Sequence, residues 1–231
     1  MEAAAEQDPL DQIQRLLENK SAAKQITFRK LLTSFELLAK ESKRVAAELR
    51  KKAKPGDQDV TVGFERINEH EFQIKLAGDM LVFVLHTNIV TFEDTHDVMK
   101  DPYIQAADIN RYFGQIMIYN FMSDSIKFHR VNDPGYLLAR LLINHDGRYI
   151  IEGEGKLGVV FSHISEAMIT EHDLNILVKL ALTLAIENDL MAPPYPQVKF
   201  ITLHQKLEKT QELGAGQKIG FRMSFHGKLE G

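Results

Sequence analysis

The residues of this chain that best resemble metal ligands lie together at positions 93–97. Glu93, Asp94 and Asp97 offer carboxylate oxygens and His96 offers an imidazole nitrogen, a set that suits a divalent cation. Three carboxylates this close in sequence repel one another unless an ion is bound, so we favour a solvated acidic loop. The chain has no cysteine, and its nine histidines form no His-Glu-x-x-His motif, so no metal site is predicted.

A second stretch, Phe-His-Arg-Val-Asn-Asp at 128–133, contains the residue types of an acid–base group with His129 as the base. On a predicted strand, His129 and Asp133 are only neighbours through a turn, and the chain shows no nucleophile elbow and no ordered triad. A structural role is favoured, and neither a catalytic residue nor a cofactor is predicted. Catalytic residues gathered from distant strands leave no spacing signal, so a small-ligand receptor or enzyme with a pocket in the sheet stays an alternative.

Two further motifs have ordinary structural explanations. The sequence Gly-Glu-Gly-Lys at 153–156 resembles a phosphate-binding loop, but it lacks the earlier glycine and the Ser or Thr after the lysine, so a β-turn is favoured. The sequence Pro-Pro-Tyr-Pro at 193–196 has the composition of a polyproline ligand, but its place between a predicted helix and a predicted strand favours a rigid connector.

The charge of the chain is strongly uneven along its length. Residues 20–54 contain eleven Lys and Arg against three Glu, a net charge of +8, within a protein whose net charge is −4. The remaining residues therefore carry −12. Such a division indicates either a basic segment offered to a polyanion or one that lies on the acidic body of its own chain.

The basic segment is predicted to be one long amphipathic helix over residues 21–54, because neither Gly nor Pro interrupts it before Pro55. At 1.5 Å per residue it would be roughly 50 Å long. Its apolar residues fill the a and d positions of successive heptads, and we call them the apolar seam: Phe28, Leu31, Phe35, Leu38, Val45 and Leu49. The opposite side, the basic face, carries Arg29, Lys30, Lys40, Lys43, Arg44, Arg50 and Lys51.

A short helix should precede the long one, because Asp8 and Pro9 have the types preferred at an N-cap and at the first helical position. After residue 56 the apolar period changes from helical to two, which predicts β-strands. The predicted strands lie at 60–64, 72–76, 80–86, 89–92, 115–122, 126–131, 136–144, 148–153, 157–162, 197–203 and 218–225. The Asp146-Gly147 pair predicts a hairpin turn, and Thr170 with Asp173 predicts a capping box for a late buried helix.

The sequence therefore predicts an α+β protein with an N-terminal helical pair, a largely antiparallel sheet of eight or more strands, and a late buried helix. We divide it into a helical segment, 1–54, and a sheet domain, 55–231. No stretch of the sequence is as long and apolar as a membrane span, and the acidic start is unlike a secretory signal. A cytoplasmic protein is expected, and the absence of cysteine suits a reducing compartment.

The leading functional hypothesis is a non-enzymatic binding or adaptor protein that self-associates through the apolar seam as a coiled coil. The main alternative is nucleic-acid binding, with the basic face contacting backbone phosphates. Against that alternative, no aromatic residue lies among the basic ones on the outer side of the helix. The simplest explanation of the basic face is that it solvates a helix whose seam packs on the sheet.

Overall fold

The computed structural model describes residues 8–52, 60–160, 163–188, 194–200, 202, 203 and 206. One antiparallel sheet of six strands packs against two long helices, which confirms the α+β class. Among the described residues, no helix is both long and apolar enough to span a membrane.

The N-terminal helices form one continuous rod. Helix α1 (Pro9–Leu16) passes through a π-helical turn (Leu17–Ser21) into helix α2 (Ala22–Lys52). The Asp8 carboxylate accepts a hydrogen bond from the Leu10 backbone N–H at 2.9 Å, as its N-cap role predicts. The two predicted helices are therefore joined by this π-helical turn, and neither Gly nor Pro interrupts the helix between them.

The six strands form a simple meander in which each strand pairs with the next along the chain. They are β1 (Val62–Asn68), β2 (Glu71–Leu76), β3 (Asp79–Val90), β4 (Phe113–Met122), β5 (Tyr136–Ile143) and β6 (Tyr149–Gly153). The Asp-Gly hairpin is confirmed, because Gly147 has a φ of +79° in the turn between β5 and β6.

The prediction of eight or more strands was wrong for reasons of local ambiguity. The predicted strand 126–131 is largely replaced by helix α4 (Ser123–Lys127) and a turn, and 157–162 begins in helix α5 (Lys156–Val160). The predicted strand 89–92 begins within β3, and residues 218–225 lie outside the described part of the chain. A short apolar run has no period long enough to distinguish a strand from a helix.

The remaining helices are α3 (Pro102–Ala106), α6 (Glu171–Glu187) and α7 (Tyr195–Val198), the last of which occupies the start of the predicted strand 197–203. Helix α6 begins with the predicted capping box: Thr170 and Asp173 each accept from the other's backbone N–H. Its buried side belongs to the same core as α2 and the sheet. The division at residue 54 therefore separates two segments that share one core.

Aromatic rings lie at the centre of that core. Phe72 stacks on Phe83 with ring centroids 4.5 Å apart and contacts Phe35 of α2 at 5.1 Å. At Gly114 of β4 the helix comes so close that a Cβ would lie 2.7 Å from Cδ2 of Leu31. On the opposite face of the sheet, the segment between β3 and β4 covers a smaller core of Val98, Ile104, Phe113, Leu142 and Ile150.

Candidate functional site

The apolar seam of α2 is used inside the chain itself. Leu31, Phe35 and Leu38 have no exposed surface, and Val45 is 2% exposed. Phe28 and Leu49 are partly buried and pack against the same core. A coiled coil of two chains through this seam would require α2 to leave its own sheet. The heptad pattern alone could not reveal this, because a helix that packs on a sheet and one that packs on a second helix both need one apolar side.

The basic face of α2 is partly neutralised by acidic residues of its own chain. Lys40 pairs with Glu171 of α6, with Nζ 2.7 Å from Oε1. This pairing raises the pKa of Lys40 and lowers the pKa of Glu171. Arg44 binds the buried carboxylate of Glu41, which also accepts a hydrogen bond from the Asn175 side chain at 3.2 Å. The interpretation that the basic helix lies on an acidic body is thus met at one of its seven cations, Lys40, because Arg44 pairs with a glutamate of α2 itself.

The other cations of the basic face are more open. Lys30 places its Nζ 3.3 Å from the sulfur of Met168, in the segment that leads into α6. Among the described residues, no ion pair is formed by Arg29, Lys43, Arg50 or Lys51. These four cations are spread along 23 residues of helix, so they form a row rather than a pocket.

Helix α1 carries an apolar surface that stays exposed. All of residues 8–21 are exposed, and four large apolar side chains point to solvent. We call them the exposed stripe; their exposed fractions are Leu10 68%, Ile13 52%, Leu16 50% and Leu17 59%. Sequence reasoning predicted a helix here but did not assign it a site. The signal was present in the sequence as the helical spacing of these four apolar residues.

A second open surface is a groove on the face of the sheet that is turned away from α2. It has a volume of about 470 Å³ and lies between β2, β3 and β4 and the segment 125–133. Its apolar lining comes from Val82, Val84, Tyr119, Phe121, Ile126 and Val131, and its polar lining from Glu71, Gln73, Ser125, His129, Arg130 and Asp133. We call this surface the outer groove. Sequence reasoning named His129 and Asp133 but missed the groove, because its floor comes from strands distant in sequence.

The geometry in the outer groove does not match an acid–base pair of His129 and Asp133. His129 lies in the turn after α4 with a positive φ of 50°. The Asp133 carboxylate instead accepts from the Ser125 hydroxyl at 2.5 Å and lies 3.2 Å from Nε of Arg130. The Arg130 side chain is only 9% exposed. Arg130 is therefore the buried charged group of the groove.

A smaller basic pocket of about 320 Å³ lies where the π-helical turn meets the sheet. Lys20, Lys24 and Arg111 line it, together with Tyr112, whose ring centre is 5.5 Å from Lys24 Nζ. Arg111 is already paired with Asp94 at 2.7 Å. The pocket extends the basic character of α2 to its N-terminal end.

In the predicted acidic loop at 93–97, individual side chains pair with different partners. Asp94 binds Arg111, and Asp97 binds Lys100 at 2.6 Å, which lowers the pKa of Asp97. His96 stacks on Phe92 with centroids 4.1 Å apart. Within the part of the chain that the structure describes, no three His, Asp or Glu side chains are grouped to hold a metal ion.

A hydrogen-bonded network at the β5–β6 turn was missed by sequence reasoning. The Tyr103 hydroxyl donates to Asp146 at 2.8 Å and accepts from Asn144 at 2.7 Å. His145 lies between Asn110 and Asp146, with its ring nitrogens 2.9 Å and 3.1 Å from their side-chain oxygens. Burial, with the hydrogen bond to Asp146, raises the pKa of Tyr103 to about 12. Each ring nitrogen of His145 and the Tyr103 hydroxyl already has a partner within the network. The network therefore stabilises the β5–β6 turn.

Comparisons of the chain with protein-family models, with curated proteins and with solved structures found no match.

Proposed function

We propose that this chain is a non-enzymatic binding protein of the adaptor class that self-associates through the exposed stripe of α1. The single observation that carries the proposal is the set of four large apolar side chains, Leu10, Ile13, Leu16 and Leu17, each at least half exposed on one short helix. Apolar side chains grouped in this way favour burial against another surface. The proposal keeps the long N-terminal helix as the association element but moves the contact from the seam to α1.

A second copy of the chain is the occupant that the charges favour. Residues 9–21 contain Asp11 and Glu18 against Arg15 and Lys20, so the segment has no net charge. The positions next to Ile13 along the helix are Gln12 and Gln14, which are uncharged. Two such stripes can therefore meet without placing like charges next to the apolar contact.

The size of the stripe predicts a weak complex. Each side chain is already partly buried against its own helix, so complete burial adds about half of the roughly 1.5–3 kcal/mol of a whole side chain, or about 6–12 kcal/mol for the eight side chains of two copies. Association itself costs about 4–15 kcal/mol in lost freedom of motion. We therefore expect a dimer that dissociates in the micromolar range or above, with an interface at the small end of specific complexes.

Sedimentation velocity across micromolar to near-millimolar concentrations tests the proposal. The full chain should shift from monomer toward dimer, and Ile13→Asp should remain monomeric because it buries a charge in the contact. Thr33→Asp is the matched control, since it adds the same charge at an exposed position of α2 away from the stripe. A full chain that stays monomeric throughout, or an Ile13→Asp variant that dimerises as strongly as Thr33→Asp, would contradict the proposal.

Deleting residues 1–54 would be a poor test of self-association. The deletion removes Leu31, Phe35 and Leu38 from the core that α2 shares with the sheet. Loss of three buried side chains of this size is expected to unfold the remainder. Substitutions at exposed positions of α1 leave the core intact.

Nucleic-acid binding through the basic face is the second proposal. Arg29, Lys43, Arg50 and Lys51 support it, because none forms an ion pair among the described residues. The pairing of Lys40 and Arg44 with carboxylates of the chain reduces the charge available to phosphates. Fluorescence binding of duplex DNA over a salt series decides the matter: affinity should fall steeply with salt, and no binding at low salt excludes this function.

The proposal retains the expected cytoplasmic location, which the cysteine-free composition favours.

A further inference from the structure

The outer groove has an apolar floor built from two neighbouring strands. Val82 of β3 pairs directly with Tyr119 of β4, and Met80 with Phe121, so Val82, Tyr119 and Phe121 lie on one face of the sheet. The volume of about 470 Å³ is in the range of small-molecule sites, about 300–1,000 Å³. The groove is thus large enough for a compact apolar molecule lying on the sheet.

Arg130 places one buried donor without a hydrogen bond, its Nε, in this apolar setting. Its side chain is only 9% exposed, and its Nε has no hydrogen-bond partner although it lies 3.2 Å from the Asp133 carboxylate. Among the described residues, its two terminal nitrogens donate no hydrogen bond. Of the five N–H donors of a guanidinium, the four on the terminal nitrogens of Arg130 stay accessible, whereas Nε is buried, and buried donors in native proteins are nearly always paired. The guanidinium of Arg130 can therefore donate hydrogen bonds to an additional acceptor inside the groove.

A carboxylate is the acceptor that suits this guanidinium best. Its two oxygens match the parallel N–H groups of a guanidinium, so the pair forms two hydrogen bonds at once. Asp133 does not supply this pairing, because a single oxygen, Oδ2, both accepts from Ser125 and lies beside Nε of Arg130. An additional acceptor must come from water or from a ligand.

The other end of the groove carries a carboxylate, that of Glu71. The Arg130 backbone N–H bonds the Ser125 carbonyl at 2.8 Å, so Arg130 is anchored at the α4 end. Phe121 pairs with Met80 of β3, and Glu71 pairs with Val84, four residues farther along the same strand. Glu71 therefore lies toward the other end of the floor from Phe121. Its carboxylate would repel a second acidic group on the ligand.

We propose that the outer groove binds a small monocarboxylic acid, with the carboxylate on Arg130 and the apolar part on Val82, Tyr119 and Phe121. The site lies on the face of the sheet opposite α2, and it does not depend on association through α1. A chain carrying Ile13→Asp should therefore bind the acid as well as the unaltered chain does.

Isothermal titration calorimetry of the full chain with three probes tests the site. 4-Phenylbutyrate should bind, and 4-phenylbutanol, which keeps the ring and lacks the charge, should bind at least about tenfold more weakly. Phenylsuccinate, with two carboxylates, should also bind more weakly than 4-phenylbutyrate because of Glu71. Arg130→Met should abolish the preference for the acid over the alcohol. Lys127→Met removes a cation of α4 that does not line the groove, and it should behave as the unaltered chain does.

A separate variant protects the test against misfolding. Arg130→Met leaves Asp133 without its cation, so its fold is checked by circular dichroism, and Val84→Phe narrows the groove while Arg130 stays in place. Val84→Phe should weaken binding of both 4-phenylbutyrate and 4-phenylbutanol. The proposal is overturned if 4-phenylbutyrate does not bind the unaltered chain, if the alcohol binds equally well, or if Val84→Phe changes neither affinity.

Discussion

Replacing Gly114 with alanine should destabilise this protein, because the added methyl group has no room beside α2. A Cβ at this position would lie 2.7 Å from Cδ2, 2.9 Å from Cβ and 3.0 Å from Cγ of Leu31. Leu31 is fully buried in the core and cannot rotate into solvent. The position therefore measures how closely the apolar seam packs on its own sheet.

The expected magnitude follows from two contributions. Overpacking a dense core by one methyl group costs about 1–3 kcal/mol. Replacing a strand glycine recovers roughly 0.5–1 kcal/mol of backbone entropy. The free energy of unfolding of Gly114→Ala should thus fall by about 1–2 kcal/mol. Leu31→Ala alone should cost about 2–5 kcal/mol, because it leaves a cavity at a buried site.

Urea unfolding followed by circular dichroism measures these changes, and the double variant gives the decisive comparison. Removing the Leu31 side chain frees the space that the methyl group added by Gly114→Ala needs, so the combined loss should be at least about 1 kcal/mol smaller than the sum of the two. Gly63→Ala is the matched control in β1, where a Cβ would meet no atom within 4 Å. It should leave stability unchanged or raise it slightly.

Two results would refute this reasoning. If Gly114→Ala cost no more than Gly63→Ala, the helix would lie farther from the sheet than the structure places it. If the losses from Gly114→Ala and Leu31→Ala were simply additive, the two side chains would not share one space. Either result would reopen the seam as a surface for a second chain.

Two further predictions concern local features of the fold. Thr170→Ala should lower the free energy of unfolding by about 1 kcal/mol, because it removes the N-cap of α6. Thr183→Ala, at an exposed position within α6, is the control and should have little effect. Thermal or urea unfolding of both variants measures the difference. The free energy of unfolding should fall as pH rises from about 10 to about 12. In the folded chain Tyr103 and Tyr149 each have a pKa of about 12. The unfolded chain releases these protons near pH 10, so above that pH the folded state binds more protons than the unfolded state. Tyr103→Phe should flatten that fall in urea unfolding at a series of pH values, and an unchanged slope would contradict the assignment.

The local signals in the sequence were accurate where the structure is determined within a few residues. Thr170 and Asp173 form the capping box, and α6 begins at Glu171, the residue after Thr170. The Asp146-Gly147 pair forms the hairpin turn. These features depend on side chains that bond their own backbone or on a glycine that adopts a positive φ. Neighbouring residues alone specify them.

The strand count shows where local signals fail. The apolar residues at 126–131 and 157–162 were assigned to strands, and α4 and α5 occupy parts of both. At α4 the Ser123 backbone N–H bonds the Gly78 carbonyl at 2.7 Å, so the turn between β2 and β3 helps to determine where β4 ends. Gly78 is 45 residues away from Ser123 in the sequence, so the spacing of apolar residues around α4 cannot reveal it.

The candidate sites divide in the same way. The exposed stripe of α1 could be read from the sequence as an apolar pattern, and the basic face as a run of charges. The outer groove could not, because Arg130 gains its significance only from its burial beside strands that begin some 50 residues earlier.

By itself, the sequence determined an α+β chain with a long amphipathic helix, a capped late helix and at least one tight hairpin. Only the tertiary structure decided that the apolar seam is buried in the chain's own core while the stripe of α1 stays exposed. The physical reason is that a periodic pattern identifies an apolar face of a helix, but not the surface that buries it. That surface is assembled from Phe72, Phe83, Gly114 and other residues that meet α2 only in the folded chain.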